Sequence, residues 1–337
     1  MAINTRSEES ALAARWRRWR PSQEQIVLMV TALLAASFAL SLPGFATIGN
    51  VLALMRSVSI LGILGIAMAV VVIGRGLDLS LVATMAISAA FALKLMQHDW
   101  PWPPAVAAGF AVAITIGLVN GFLIAFVEIP ALFTTLATGF LVFGLGRTFL
   151  LDGLITYLPA ETEIFPWIGQ GSLLGIPAPV LLFALIALAV HIFLSRMSIG
   201  RFIYAHGDNL ETARLTGIAV RPLTMLEYGI CAAIGCAAGL VMAASTASMN
   251  TQIVNSTMIF DVILVVVLGG VSLVGGRGGV LSVLAGTALI GTLLNGMTIM
   301  DLNNNVQNIV KGGVLLAAIL LDNRLHPRDE ETARQGD

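Results

Sequence analysis

Apolar runs long enough to cross a bilayer follow one another along almost the whole chain, and no other feature constrains the fold as tightly. A membrane span needs about 20 mostly apolar residues. Ten such runs are read at 26–42, 51–73, 80–96, 104–127, 131–150, 178–195, 222–245, 259–274, 280–299 and 306–322. Hydrocarbon offers the backbone no hydrogen-bond partners, so each run predicts a helix. The expected fold class is all-α, a polytopic inner-membrane helical bundle of about ten transmembrane helices. Composition agrees: 11% of the 337 residues are charged, against roughly 25% in soluble domains. Three regions are expected: a basic cytoplasmic segment over 1–25, a transmembrane domain over 26–323, and a cytoplasmic tail over 324–337.

Charge placement predicts the orientation. The first segment carries Arg15, Arg17, Arg18 and Arg20 beside Trp16 and Trp19, a pattern that suits a cytoplasmic interface anchor. No A-x-A cleavage site closes the following run, which argues against a signal peptide. With the N-terminus inside, Arg75, the 195–222 loop, Arg277, Arg324 and Arg328 all fall on the cytoplasmic side. The segments 97–103, 152–177, 245–258 and 300–305 then lie outside and contain no Lys or Arg. An even span number and cytoplasmic termini satisfy this bias. Four cations depart from it. Lys94 and Arg147 lie near outer helix ends and can snorkel, whereas Arg56 and Lys311 lie deeper, facing either a passage or a partner.

The longest polar interruption is Ser195–Pro222, SRMSIGRFIYAHGDNLETARLTGIAVRP, with Arg196, Arg201, Arg214 and Arg221 against Asp208 and Glu211. Its middle, Asp208 to Ala219, predicts a short helix capped by Asp208 or Asn209 and stopped by Gly217. A short helix at the cytoplasmic surface between two spans is placed to dock a soluble partner. Two further stretches stand out. Gly74–Ser80, GRGLDLS, reads as a tight turn in which Asp78 or Ser80 caps the next helix. Asp261–Gly279, DVILVVVLGGVSLVGGRGG, runs an apolar helix into a Gly-rich turn with Arg277. This last stretch is no P-loop, because Gly276 stands where G-x-x-x-x-G-K-[ST] requires Lys. Cys231 and Cys236 do not share a helix face, and His98, His191, His206 and His326 are scattered, so no metal site is expected. No constellation of catalytic side chains points to an enzyme. No cofactor and no nucleic-acid partner are expected.

In this order and at these spacings the motifs resemble the membrane permease subunits of bacterial ABC monosaccharide importers, the ribose/xylose/arabinose group. GRGLDLS is similar to the family's GGIDLS. GRFIYAHGDNLETARLTGI resembles GRxIYAxGxNxxAARLSGI. VVVLGGVSLVGGRGG resembles VVLGGTSLxGGxG, and Leu118–Thr138 and Lys311–Asn323 match its NG…IP…TLAT stretch and last span. The resemblance covers residues from about 50 to 323. It implies two permease chains, identical or related, with two cytoplasmic ABC ATPase subunits that bind the ATP, and a periplasmic sugar-binding protein that delivers the ligand. It also implies that Gly207, Asp208, Asn209, Glu211, Ala213, Arg214, Leu215 and Gly217 form the ATPase-coupling loop. In that loop Glu211 and Arg214 would be polar contacts, Ala213 and Leu215 would pack, and the two glycines would set the chain direction. Two departures stand out: Leu81-Val82 where the family has small residues, and Ile259 where it has Glu.

For the translocation path of a hydroxylated ligand the candidates are Asn120, Asn295, Arg56 and Lys311, together with Thr134, Thr135, Thr138 and Gln307. Each either lines the passage or makes an interhelical hydrogen bond. An ion-gradient-driven secondary transporter is the alternative reading. It would favour acids near the midplane, whereas Asp78, Glu128 and Glu227 all fall near inner ends. The sequence leaves open which sugar or related solute is carried.

Overall fold

The computed structural model describes residues 22–325 except 160, 161 and 163. Most of the expected basic segment, and the tail from residue 326, lie outside the described residues. Ten long helices coincide with the ten apolar runs: α1 Gln23–Ser41, α2 Ile48–Ile73, α3 Leu81–Gln97, α4 Trp102–Ala125, α5 Ala131–Leu145, α7 Ala178–Arg196, α10 Val220–Thr246, α11 Met258–Gly269, α12 Val280–Ile299 and α13 Asn304–Leu325. Three short helices intervene: α6 Ile164–Gln170, α8 Ser198–Asp208 and α9 Leu210–Leu215. Among the described residues, seven helices are long and apolar enough to cross a membrane, α5 being extended to Leu150 by one π turn.

Local chemistry sets the boundaries. Ser22 and Gln25 close a reciprocal capping box on α1, and Thr47 caps α2 through the amide of Asn50. α11 ends five residues earlier than the run over 259–274 suggests. Gly270 takes φ 104°, a left-handed stop that a side chain would resist. With 12 residues α11 spans about 18 Å, well short of the roughly 30 Å hydrocarbon layer.

The core is built on α2 and α10. The second half of α2, Ser59 to Ile73, is buried all round, the signature of a helix enclosed by others. α10 packs against α2, α3 and α4. Gly117 and Gly121 on α4 let its backbone approach that of α10 at Tyr228 and Met225. α1 is peripheral, burying Val27 and running along α12, where Gly296 receives the Phe38 ring.

One end of the bundle gathers Arg75 and Arg277 in turns, Arg201 and Arg214 on the short helices α8 and α9, and Arg196 and Arg221 at the adjoining ends of α7 and α10. The other gathers the segments without Lys or Arg, and it carries strand structure that the all-helical expectation did not include. β1 (Ile155–Tyr157) pairs antiparallel with β4 (Ser248–Asn250), aligning Thr156 with Met249. β2 (Ser172–Leu173) and β3 (Ile176–Pro177) form a hairpin whose turn residues Leu174 and Gly175 both have positive φ. Near this end Lys94 reaches Asp152 at 2.8 Å. Asp152 is exposed, and its bond from Lys94 holds the carboxyl below its usual range.

Candidate functional site

Between α7 and α10 the chain forms two short helices: α9, inside the span Asp208–Ala219 where a short helix is expected, and α8 before it. The first, α8, is an amphipathic helix of 11 residues. It buries Gly200, Ile203, His206 and Gly207 and exposes Arg201, Ala205 and Asp208. Its buried positions follow the helical period in SIGRFIYAHGD, and Gly207 packs one residue before the end of α8. Asp208 therefore ends α8 and caps nothing. Asn209 is the cap of α9, its side chain accepting from the Thr212 amide at 2.9 Å. α9 has six residues, and Gly217 beyond it takes φ 85°. Glu211, Thr212, Arg214 and Leu215 face away from the chain. Ala213 and Leu215, expected to behave alike, divide: Ala213 is buried against its own chain, whereas Leu215 is 86% exposed. Leu215 stands beside the exposed Arg214 and Glu211.

Beneath this loop the three motifs meet. The amide of Gly276 donates to the carbonyl of Ile73 at 2.8 Å, joining the end of α2 to the Gly-rich turn over 270–279. Gly207 lies against both of these atoms, and a Cβ there would have no space. Gly275 and Gly276, with φ 93° and 70°, press against Arg75 and Asp208. Tyr204 fastens the same turn by donating to the Gly278 carbonyl at 2.8 Å, and burial pushes its phenol up from its ordinary value.

The Gly74–Ser80 turn is the hub. Gly74 leaves room for the Glu227 carboxylate of α10, which lies 3.1 Å from His206 Nδ1 of α8. Tyr228 reaches the Leu77 carbonyl at 3.4 Å. Asp78 Oδ1 accepts from the Ser80 amide at 2.9 Å and from its hydroxyl at 2.6 Å, so Asp78 supplies the turn's cap. From α5, the Thr135 hydroxyl accepts from the Leu79 amide at 3.1 Å and shares its proton between the Ala131 carbonyl at 2.8 Å and the Leu77 carbonyl at 3.2 Å. One seven-residue turn thus ties α2, α3, α4, α5 and α10 together, and α8 joins it through the His206–Glu227 contact.

The four path candidates have separate partners. Asn120 is buried at the hub and donates to Ser80 Oγ at 2.8 Å. Asn295 and Asn50 exchange amide hydrogen bonds of 3.0 Å. Arg56 reaches the Gln170 carbonyl at 3.4 Å, at the end without arginine turns. Lys311 Nζ lies 2.9 and 3.2 Å from the two carboxylate oxygens of Asp261 and 2.9 Å from Thr257 Oγ1. Gln307 donates to the Leu302 carbonyl at 2.9 Å and Thr138 to the Thr135 carbonyl at 3.2 Å. The pairing of His206 with Glu227 is not expected from the sequence, where Glu227 reads only as an acid near an inner end and His206 as one of four scattered histidines. An acid inside an apolar run was the available signal, because such a group needs a partner.

The family model described as "Branched-chain amino acid transport system / permease component" matches residues 50–319. The chain is similar to the ribose import permease protein RbsC of Escherichia coli K12, 31% identical over 309 residues covering 91% of this chain and 95% of the relative. It is 33% identical to the L-arabinose transport system permease protein AraH of the same organism, over 88% of this chain and 89% of that one. It is 30% identical to the probable ABC transporter permease protein YphD, over 91% and 92%. No solved structure matches. A family model spanning residues 50–319 and relatives aligned almost end to end establish that this multi-pass membrane protein belongs to that transport-system permease family.

Proposed function

We propose that the chain is the permease subunit of an ABC importer that carries a monosaccharide or related small polyhydroxylated solute into the cytoplasm. A separate ATPase subunit would supply the energy. The arginine-rich end would be cytoplasmic, with both termini on that side of the inner membrane. The observation that carries this reading is the α8–α9 loop, exposed at Glu211, Arg214 and Leu215 yet anchored through Gly207 to the end of α2 at Ile73 and to the Gly-rich turn at Gly276. Gly207, Asp208, Asn209, Glu211, Ala213, Arg214, Leu215 and Gly217 would form the element that an ATPase moves. ATPase closure would shift α8 and α9 as a unit and re-tilt the helices tied at the hub, a rigid-body transition. The sugar assignment is supported by the relatives named for ribose and L-arabinose. The remaining partners would be a second permease chain, identical or related, a periplasmic binding protein and membrane lipid.

The test is purification of the tagged, detergent-solubilised chain from its native host with mass spectrometry of what accompanies it. An ATPase subunit at about one per permease chain, with a periplasmic binding protein that takes up a sugar, is the expected result. A chain that purifies alone, and moves solute down an ion gradient in proteoliposomes containing nothing else, would establish the secondary-transporter alternative.

A further inference from the structure

Glu227 lies two turns into α10 and is 1% exposed. Among the described residues its carboxyl group has one hydrogen-bond partner, Nδ1 of His206 at 3.1 Å from Oε1; Oε2 is also buried and has none. His206 is buried on α8, next to the Gly207 that presses on Ile73 and Gly276. Such a pair is a poor way merely to hold two helices together. Apolar side chains of similar volume do so as well or better, because they carry no desolvation penalty. What the polar contact adds is direction. Apolar surfaces slide past one another, whereas a buried carboxyl group that parts from its one partner is left bare at a cost. Where His206 moves, Glu227 is drawn with it.

We propose that His206 and Glu227 form the joint through which α8 displaces α10. This rests on the ATP-driven import proposed above and names the contact that carries motion from the docking surface into the bundle. On one side of the joint, α8 leads directly into α9 with its exposed Arg214 and Leu215. On the other side, α10 is gripped by the Gly74–Ser80 turn at this same level. Gly74 leaves room for the Glu227 carboxylate, and Gly76 leaves room for the hydroxyl of the adjacent Tyr228, which reaches the Leu77 carbonyl. From there α10 runs on without a break. Its 27 residues span about 40 Å, and at its far end the backbone at Ala244 lies against Gly169 of α6. A displacement applied at Glu227 therefore acts on a helix that touches both faces of the bundle, as rigid-body switching requires. His206 and Glu227 act through these helices and are positioning residues.

The test uses the complete transporter in proteoliposomes, with ATP hydrolysis and uptake of D-ribose or L-arabinose measured together. The double substitution H206L/E227M removes both polar groups and leaves an apolar contact of similar volume. It should assemble with the ATPase and unfold at or above the parent's temperature. It should nevertheless raise the ATP hydrolysed per sugar carried by about ten-fold, a change common for coupling between distant sites. His206→Asn sets an amide nitrogen where Nδ1 stands and, with Glu227 in place, should keep the ratio near the parent's. A double variant with the parent's ratio would overturn the joint. So would one that fails to assemble, because the contact would then be a scaffold only, and so would a His206→Asn protein as uncoupled as the double variant. Failure of the import reading itself is separate: the unmutated transporter would then carry neither sugar on ATP.

Discussion

Gly207→Ala tests the junction beneath the surface loop. The added methyl would be driven into the Ile73 carbonyl oxygen and the Gly276 amide nitrogen, two backbone atoms bonded to each other at 2.8 Å. No rotamer relieves a clash with backbone. Overpacking costs about 1–3 kcal/mol, and weakening the Gly276–Ile73 hydrogen bond adds about 0.5–1.5 kcal/mol, so the expected loss is about 1.5–4.5 kcal/mol. Two other glycines calibrate this figure. Gly217 has φ 85° and open space around it, so Gly217→Ala should cost about 1–2 kcal/mol from backbone conformation alone. Gly313 sits in a helix with open space, where alanine should gain up to about 1 kcal/mol. Thermal unfolding of the four proteins in one detergent should rank Gly313→Ala at or above the parent, then Gly217→Ala, then Gly207→Ala. A Gly207→Ala protein as stable as the parent, or milder than Gly217→Ala, would refute the three-way junction.

Arg214→Glu should leave the protein inserted and as stable as the parent, since Arg214 is exposed, but should abolish ATP-driven uptake; normal uptake would remove Arg214 from the coupling surface. Leu174, 95% exposed at the β2–β3 turn, should accept a cysteine that labels from outside intact cells, and labelling only after permeabilisation would invert the topology. The Asp152 carboxyl, depressed by Lys94, should stabilise the fold at every pH above its unfolded value of about 3.9 and lose that contribution as pH falls through the lower folded value. The difference in unfolding temperature between the parent and Asp152→Asn should therefore be flat from pH 8 to about pH 5; a difference already fading at pH 6 would contradict the pairing.

Helix positions were legible because a bilayer leaves the backbone one solution per apolar run. What the sequence concealed arises from contacts between distant segments. Gly207 and Gly276 are 69 positions apart in the chain, and nothing local indicates that both crowd Ile73. The hydropathy of α8 is modest, so a search for spans passes over it, although its buried face repeats at helical spacing. β1 and β4 are three-residue strands with partners about 90 residues away, too short to produce a readable alternation. Asn120 and Asn295 look alike in sequence, in LVNG and LLNG, yet one bonds Ser80 at the hub and the other pairs with Asn50 on another helix.

The most direct test of the central claim is a cross-link from residue 215. Leu215→Cys, at an 86% exposed position, would be combined with a short bifunctional thiol reagent in the purified complex. A covalent adduct with the ATPase subunit, changing in yield when ATP is bound, is the predicted result. An ATPase that co-purifies but forms no adduct from residue 215, while a cysteine replacing exposed Arg277 on the neighbouring turn captures it, would show that the coupling surface lies elsewhere.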